Sequence, residues 1–352
     1  MPDWHSGMTQ TFEYYRVDPG TWRDADKLTN IVSCTINRDS NVETLGSASF
    51  SITGSIGEEY VRVYLVTIQN GLKERFSLGT YLIQTPTTSF DGMVKTVTVD
   101  AYTPLLELKE SMPPLGYSLL EGESIMTRAY QIVRDNARAP VVKATDDLNL
   151  IDDFVANVDD TWMSFTSDLI ANAEHHFELD ADGVIYFAPD QDAASLQPVW
   201  TFDDSNSSIL YPDITLDHDM YGIPNVVEVI YTSGLTYYYA KAVNDDPNSP
   251  ISTVKRGREI VYRDSSPALA GNPTEKHIEE YAKQLLRNLS SIEYTVTYTH
   301  GYCPVRLGDC VRLHYGAAGI TNVKAKVVSQ SISCEQGCPV TETAVFTTKL
   351  WG

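Results

Sequence analysis

Short runs of alternating apolar and polar residues, separated by turn sequences, fill the chain between residues 30 and 103. These runs are rich in threonine, valine, isoleucine and tyrosine, which suit the pleated and half-buried surface of a β-sheet. The runs are IVSCTINR, SASFSITG, YVRVYLVTIQ, RFSLGTYLIQTP and VKTVTVDAY, and the turns include DSN, QNGLKE and FDGM. Strand-like runs separated by turn sequences in this way predict a β-meander that forms a barrel or a sandwich.

The pattern changes to helical spacing after residue 104, where two predicted helices carry apolar residues three to four positions apart. The stripe of the first comprises Ile125, Ala129, Ile132 and Val133, and that of the second comprises Trp162, Phe165, Leu169 and Ala173. Asp159 or Asp160 is the expected N-cap of the second helix. A mixed α/β region therefore follows the first β-rich region.

A second β-rich block opens near residue 210 and is interrupted by one long helix. For this helix we expect Asn272 as N-cap, Pro273 at the first helical position and Glu275 closing a capping box. The predicted fold is mainly β with an α+β insert, in which two β-barrel modules flank a mixed α/β domain. The predicted domains are an N-terminal β-barrel module at 1–104, the mixed domain at 105–205, and a C-terminal β-barrel module with one long helix at 206–352.

The overall charge of the chain is strongly negative. Its 352 residues, long enough for two or three cores, include 47 acidic and 26 basic residues and give a formal charge of -21. Such a surface repels DNA and anionic membranes, which disfavours nucleic-acid binding. The most apolar window, residues 60–68, is short and contains Arg62, so we expect no membrane span; no signal peptide is visible, so we expect synthesis in the cytoplasm.

Two adjacent histidines stand among five acidic residues in the segment NAEHHFELDADGVIYFAPD, residues 172–190. In a strand, His175 and His176 face opposite sides and do not both reach one ion. Asp180 and Asp182 run into Gly183 without the further ligands of a calcium loop. The segment therefore predicts a β-hairpin with glycine at the left-handed position, in preference to a metal site.

The common catalytic signatures of hydrolases, metalloproteases, P-loop proteins and dinucleotide-binding proteins are absent from the sequence. Neighbouring carboxylates do occur, and a glycosidase needs two carboxyls across a sugar bond, but adjacent aspartates more often cap helices or line solvated loops. These pairs are Asp146/Asp147, Asp152/Asp153, Asp159/Asp160, Asp203/Asp204 and Asp245/Asp246. Tyr237 to Tyr239 admit two interpretations, a carbohydrate-stacking platform and a half-buried strand, of which the strand is simpler.

Four of the five cysteines lie near the C-terminus, at Cys303, Cys310, Cys334 and Cys338. The C-x3-C spacing of the second pair fits a zinc site, whereas the C-x6-C spacing of the first pair is too wide. Zinc binding and a disulfide both stay open, and reduced strand cysteines are the favoured interpretation. We therefore assign no catalytic, cofactor-binding or metal residue, and no cofactor.

Several short motifs follow one another in the second half of the chain. They are Asn225 before a strand, Asp246-Pro247, Ser249-Pro250, the helix from about 273, and Gly308-Asp309 followed by Val311. In this order they resemble the baseplate hub family of bacteriophage tails and related contractile injection systems. The segment from Trp162 to Pro189 also suits that family, so the resemblance covers most of the chain, with β texture alone in the first 100 residues.

The resemblance implies a structural protein of the tail tip or baseplate in the virion. Such hubs are typically homotrimers, in which two tail-tube-like β-barrels per subunit create a pseudo-sixfold ring that meets a hexameric tube. The implied partners are the chain itself, the hexameric tail tube or distal tail protein, the tail spike or tip protein and the tape measure protein. DNA passes only in transit, and an acidic lumen would let it slide during ejection.

Two other function classes are weighed against a structural, non-enzymatic hub. A tail-associated cell-wall hydrolase is disfavoured because FTTKLWG follows soon after the last predicted strand, leaving little room for a lytic domain. A carbohydrate-binding adhesin suits the β content and the tyrosines, but such modules are secreted.

Overall fold

The structure is a computed structural model that describes residues 2–90, 92–93, 95–144, 148–191, 195–233, 236–265, 267 and 274–350. Strands make up 48% of it and helices 15%. The predicted fold class, mainly β with an α+β insert, is confirmed. The chain packs as two compact units, unit 1 (Met1–Ile214 with Thr297–Ala344) and unit 2 (Thr215–Val296 with Val345–Gly352). The predicted domain boundaries at 104 and 205 stay a prediction.

The first β-rich region contributes seven strands to unit 1. They are β1 (Thr9–Asp18), β2 (Arg23–Leu28), β3 (Ile31–Asp39), β4 (Gly46–Thr53), β5 (Tyr60–Gln69), β6 (Leu72–Phe90) and β7 (Lys95–Tyr102). Their antiparallel order is β3-β4-β7-β6-β5-β1-β2. The order differs from a simple meander because β1, which precedes the patterned region, takes the place beside β5, and β4 pairs with β7.

The insert of unit 1 contains three helices and four short strands. They are α1 (Leu106–Glu110), β8 (Ser118–Leu119), α2 (Ile125–Asn136), β9 (Phe154–Val155), α3 (Trp162–Ala171), β10 (His175–Leu179) and β11 (Ile185–Pro189). The predicted apolar stripes of α2 and α3 are buried in one core, together with Tyr60 and Leu82 of the first region. All residues of β5 from 60 to 67 are buried, and Tyr60 of this strand belongs to the same core.

The N-cap of α3 is Thr161, so the prediction of Asp159 or Asp160 was wrong. The Thr161 hydroxyl accepts the N–H of Ser164 at 3.1 Å. Asp160 supports the cap instead: one carboxylate oxygen accepts the N–H of Asn157 at 2.7 Å and the other accepts the Ser164 hydroxyl at 3.1 Å. The threonine therefore takes the position that leads directly into the first turn.

The remaining strands of unit 1 come from the last part of the chain. β12 (Trp200–Phe202) pairs in parallel with β18 (Cys310–Tyr315), which pairs with β19 (Ile320–Ser333) after a short 3₁₀ helix (Gly316–Ala318). Three further strands contribute residues to both units: β13 (Leu210–His218), β17 (Ser291–Gly301) and β20 (Pro339–Lys349). β19 also pairs with β3, so the first and last β-rich regions share one sheet, whose pairing path among the described strands is open.

Unit 2 consists of a three-stranded sheet covered by one long helix. Its elements are β14 (Val226–Ser233), β15 (Thr236–Val243), α4 (Thr253–Arg256), β16 (Val261–Asp264) and α5 (Glu275–Leu289), with sheet order β15-β14-β16. The helix buries Ile278, Ala282 and Leu286 against valines and alanines of the sheet. The long helix predicted in this block is therefore present, with one apolar face packed on the sheet.

The start of α5 differs from its prediction. Its N-cap is Thr274, whose hydroxyl accepts the N–H of His277 at 3.4 Å, while His277 closes the capping box. Glu275 is therefore the first helical residue, whereas the expected Asn272 and Pro273 lie outside the described residues. Threonine suits the N-cap as well as asparagine does, so composition alone left the register open. Within the described part of the chain, no helix is both long and apolar enough to cross a membrane.

Candidate functional site

A cleft of about 870 Å³ lies in unit 1. It lies between the β3–β4 turn, β6, helix α3, the β10–β11 hairpin and the turn that precedes β18. Charged side chains of both signs line it, including Asp168, Glu178, Arg306 and Lys326. What the polar side chains of the cleft can do chemically depends on the hydrogen bonds and ion pairs that they already form.

The β10–β11 hairpin forms one wall of the cleft and confirms the predicted turn. Its strands pair antiparallel, with Phe177 opposite Phe187. Asp180 closes the turn, because one of its oxygens accepts the N–H groups of Asp182 and Val184 at 2.8 and 2.9 Å. Gly183 has φ +78, a left-handed conformation that favours glycine. The carboxylate that suggested a calcium loop is thus used to shape the turn.

The two histidines of the hairpin have separate partners. Nδ1 of His175 lies 2.6 Å from the carbonyl oxygen of Ala173. Nδ1 of His176 lies 2.6 Å from a carboxylate oxygen of Asp190. In the described ranges, no group of three or more His, Cys, Asp or Glu side chains is placed to hold a metal ion.

The tip of the hairpin is attached to the N-terminal sheet by a buried arginine. Arg62 is 5% exposed, and its guanidinium donates to the carbonyl of Asp182 at 2.9 Å and to the Thr80 hydroxyl at 2.8 Å. It also contacts Asp24 at 3.2 Å, while the indole N–H of Trp22 donates to the same Asp182 carbonyl at 2.8 Å. Sequence reasoning identified Arg62 only as a charge that excludes a membrane span.

The opposite wall of the cleft is the turn before β18. Gly308 has φ +86, and Asp309 accepts the N–H of Arg306 at 2.7 Å, as expected of a Gly-Asp turn. Burial raises the pKa of Asp309. Val311 and Leu313 of β18 are buried, whereas Arg312 between them is exposed.

A buried polar network joins the first β-rich region to the last one. Glu342 of β20, fully buried, accepts hydrogen bonds from the Tyr298 hydroxyl at 2.7 Å and from Gln330 at 2.5 Å. Nε2 of His300 lies 3.3 Å from the same carboxylate. The Gln330 side-chain oxygen accepts from Arg38 of β3 at 2.7 Å. No sequence motif indicated this network, because its members are separated by up to 292 residues.

In unit 2, polar residues of the motifs that carry the resemblance are buried and form hydrogen bonds that hold the loops. The Asn225 amide, fully buried, donates to the carbonyls of Ile251 and Arg258 at 3.0 Å each, and its oxygen accepts from the N–H of Ile260 at 2.7 Å. Asn244 similarly donates to the Ser249 hydroxyl at 2.9 Å. These polar side chains replace backbone partners in a region without regular strand pairing.

In the described aspartate pairs, several carboxylates accept backbone N–H groups, either within a local turn or from a distant segment. Asp153, Asp160, Asp204 and Asp246 each accept a backbone N–H at 2.7 to 2.8 Å. Asp146 and Asp147 lie outside the described residues. Carboxylates used in this way are held by the backbone, which is the structural interpretation of such pairs.

The tyrosine run alternates along β15. Tyr237 and Tyr239 are exposed, whereas Tyr238 stacks on Tyr231 with 6.5 Å between ring centroids. This alternation agrees with the simpler interpretation, a half-buried strand.

The four C-terminal cysteines do not form one group. Cys303 lies beside His300, with 3.9 Å between sulfur and Nδ1, and Cys310 opens β18. Cys334 and Cys338 flank the β19–β20 turn, where Cys334 meets Cys34 of β3, a residue that sequence spacing did not associate with them. All five cysteines are in the reduced state, and burial raises the pKa of Cys303, Cys310 and Cys338.

Comparisons with known proteins identify the fold. No family model and no curated protein sequence matches the chain. Solved structures do match over nearly its whole length. A tail protein from Neisseria meningitidis has a TM-score of 0.62 at 13% identity, covering 97% of each chain. A 43 kDa tail protein of prophage MuSo2 from Shewanella oneidensis has a TM-score of 0.61 at 11% identity, covering 95% of this chain and 98% of that one.

A third structure connects the fold to secretion machines. The E. coli c3393 protein, a type VI secretion component with structural similarity to the T4 tail proteins gp27 and gp5, has a TM-score of 0.50 at 9% identity. The match covers 92% of this chain and 74% of the c3393 chain. The chain therefore has the fold of bacteriophage tail proteins, which confirms at the level of fold the resemblance that its sequence motifs indicated.

Proposed function

We propose that this chain is a structural hub of a phage tail tip or baseplate. In this proposal it forms a homotrimeric ring that connects the hexameric tail tube to the spike or tip and lines the DNA channel. The observation that carries the proposal is the end-to-end match in fold with two tail proteins, one of them from a prophage. Matches over single domains would not distinguish a tail protein from an unrelated β-rich protein.

The pairing of β3 with β19 supports the threefold assembly. It places the first and last β-rich regions side by side in one sheet. Three copies would then present six β-rich regions, which is the number that a hexameric tube offers at its end. The formal charge of -21 suits a channel through which DNA passes without binding.

We propose no catalytic role. Two of the acidic groups in the cleft, Asp180 and Asp309, accept backbone N–H groups, and Asp190 contacts His176. Groups held in this way are positioned for turn geometry, whereas an acid or base catalyst must be free to meet a substrate.

The test is the mass of the protein in solution, alone and with the tube protein of the same tail. Light scattering at raised concentration should give three times the subunit mass of 39.2 kDa, or a monomer that becomes a trimer when the tube protein is added. A chain that stays monomeric in both conditions contradicts the ring. Peptidoglycan zymography with a lysozyme control should show no clearing by this protein, and clearing would support the hydrolase instead.

A further inference from the structure

Three cysteines lie together where β3 runs beside the end of β19. Cys34 belongs to β3 and is 3% exposed. Cys334 follows the last residue of β19 and is half-buried, and Cys338 precedes the first residue of β20 and is fully buried. All three thiols raise the pKa of the neighbouring Tyr14 hydroxyl after the larger effect of burial, which places them around one side chain.

The strand register puts Cys334 opposite Cys34. β3 and β19 pair antiparallel with Thr35 opposite Ser333, and the N–H of Cys334 donates to the carbonyl of Cys34 at 3.0 Å. The Cα atoms of such hydrogen-bonded antiparallel pairs are about 5.5 Å apart. Disulfides span Cα separations of about 4.4 to 6.8 Å, so the backbone already has a compatible spacing.

The two side chains also influence each other. The neighbouring Cys34 thiol, together with burial, raises the pKa of Cys334. Residue Cys334 is partly exposed, whereas Cys34 lies in the core. A soluble reagent would therefore reach Cys334 first, with the second thiol already beside it.

Cys338 is the competing partner, and the turn holds it differently. Its φ of +41 is left-handed, and its N–H donates to the carbonyl of Glu335 at 2.9 Å. Burial is the main cause of its raised pKa, with a smaller effect of Cys334. A bond between Cys338 and Cys334 would have to form within this constrained turn, whereas Cys34 and Cys334 face each other across paired strands.

We propose that Cys34 and Cys334 are a disulfide-forming pair that joins β3 to β19 when the protein meets an oxidising medium. With a small disulfide such as oxidised glutathione, the Cys334 thiolate attacks one sulfur and releases one glutathione thiolate. The Cys34 thiolate then attacks the Cys334 sulfur and releases the second glutathione. Two protein thiols and one glutathione disulfide thus become one protein disulfide and two glutathione thiols.

The bond would close a loop of about 300 residues across the strand pair that joins the first and last β-rich regions. Long closed loops restrict the unfolded chain, so the oxidised form should resist unfolding. A protein made in a reducing cytosol and later released into an oxidising medium would acquire the bond after release. The thiol geometry is independent of the proposed tail function.

The test is a map of thiols in the full chain before and after incubation with excess oxidised glutathione. After denaturation and alkylation, the number of alkylated cysteines should fall from five to three, with one cross-linked peptide containing Cys34 and Cys334. The rate should rise about tenfold per pH unit between roughly pH 7 and 9, because the thiolate is the nucleophile. The melting temperature should rise by roughly 5–10 °C and return with dithiothreitol.

Matched variants identify the partners. Cys338→Ser and Cys310→Ser should still lose two thiols, whereas Cys34→Ser should retain one glutathione on Cys334. A cross-linked peptide that joins Cys334 to Cys338 in the unmodified chain would overturn the proposal, as would five alkylated thiols after treatment. The map of the unmodified chain decides the question even if a variant fails to fold.

Discussion

The two units bury different kinds of polar side chain. Unit 1 buries charged or ionisable groups, namely Arg62, His300 and Glu342, each bound to strands distant in sequence. The buried polar residues described in unit 2 are the uncharged asparagines and serines, such as Asn225, which brace nearby loops. The difference indicates that unit 1 is joined by long-range polar contacts, whereas unit 2 is held by an amphipathic helix and local braces.

The largest expected effect is the loss of Glu342. Glu342→Ala removes the buried carboxylate that accepts from Tyr298 and Gln330 and lies beside His300. Breaking such a buried charged network should lower the free energy of unfolding by about 3–5 kcal/mol. Urea denaturation measures this, with the exposed Glu335→Ala on the β19–β20 turn as the control of near-zero effect.

The corresponding change in unit 2 is Asn225→Ala, which removes three buried hydrogen bonds to backbone groups. We expect a loss of about 2–3 kcal/mol, because neutral groups left unpaired are less costly than charged ones. The exposed Asn248→Ala is the matched control. If Asn225→Ala destabilised the protein more than Glu342→Ala, the contrast between the units would be wrong.

Two glycines allow the destabilisation caused by a steric clash to be distinguished from that caused by a left-handed backbone conformation. Gly183 and Gly222 both have positive φ, +78 and +73, but a Cβ on Gly183 would lie 2.9 Å from Cβ of Thr80, whereas Gly222 faces open space. Gly222→Ala should cost about 1 kcal/mol from conformation alone. Gly183→Ala should cost about 1–2 kcal/mol more, because the hairpin tip must move from the sheet. Equal melting temperatures of the two variants would show that the hairpin tip is loosely held.

The smallest expected effect concerns Tyr281 of unit 2, whose hydroxyl donates to Asp264 at 2.8 Å. This hydrogen bond, with burial, raises the pKa of Tyr281 to about 12. Tyr281→Phe should cost about 0.5–1 kcal/mol near pH 7, at the low end for a partly exposed pair.

The pH dependence of that difference follows from the direction of the shift. A phenol with a raised folded-state pKa stabilises the protein fully below pH 10 and loses this contribution as the pH rises towards 12. Urea denaturation at pH 7 and at pH 10.5 should therefore show a smaller difference between Tyr281 and Phe at the higher pH. A difference that grows with pH would contradict the assigned hydrogen bond.

Local patterns predicted the parts of the fold that depend on neighbouring residues. Helices α2, α3 and α5 and the hairpin at Gly183 were recognised because periodicity and turn chemistry act within a few residues. The N-cap of α5 was misplaced from Thr274 to Asn272, since several residue types suit that position.

The polar contacts of unit 1 could not be predicted from local sequence patterns. Glu342 stands in the run TETAVFTT, where an acidic residue in a strand suggests an outward-facing side chain. Its partners Gln330 and Tyr298 are 12 and 44 residues away, and Arg62 meets Asp182 across 120 residues. Cys34 likewise met Cys334 only when the pairing of β3 with β19 was known.

The most direct test of the proposed trimeric hub is an image of the assembled particle in which this chain carries an electron-dense label. A trimeric hub should give three labels per particle, arranged around the end of the tail tube, at the junction with the spike or tip. Labels distributed along the tube, or a purified particle without any label, would contradict it.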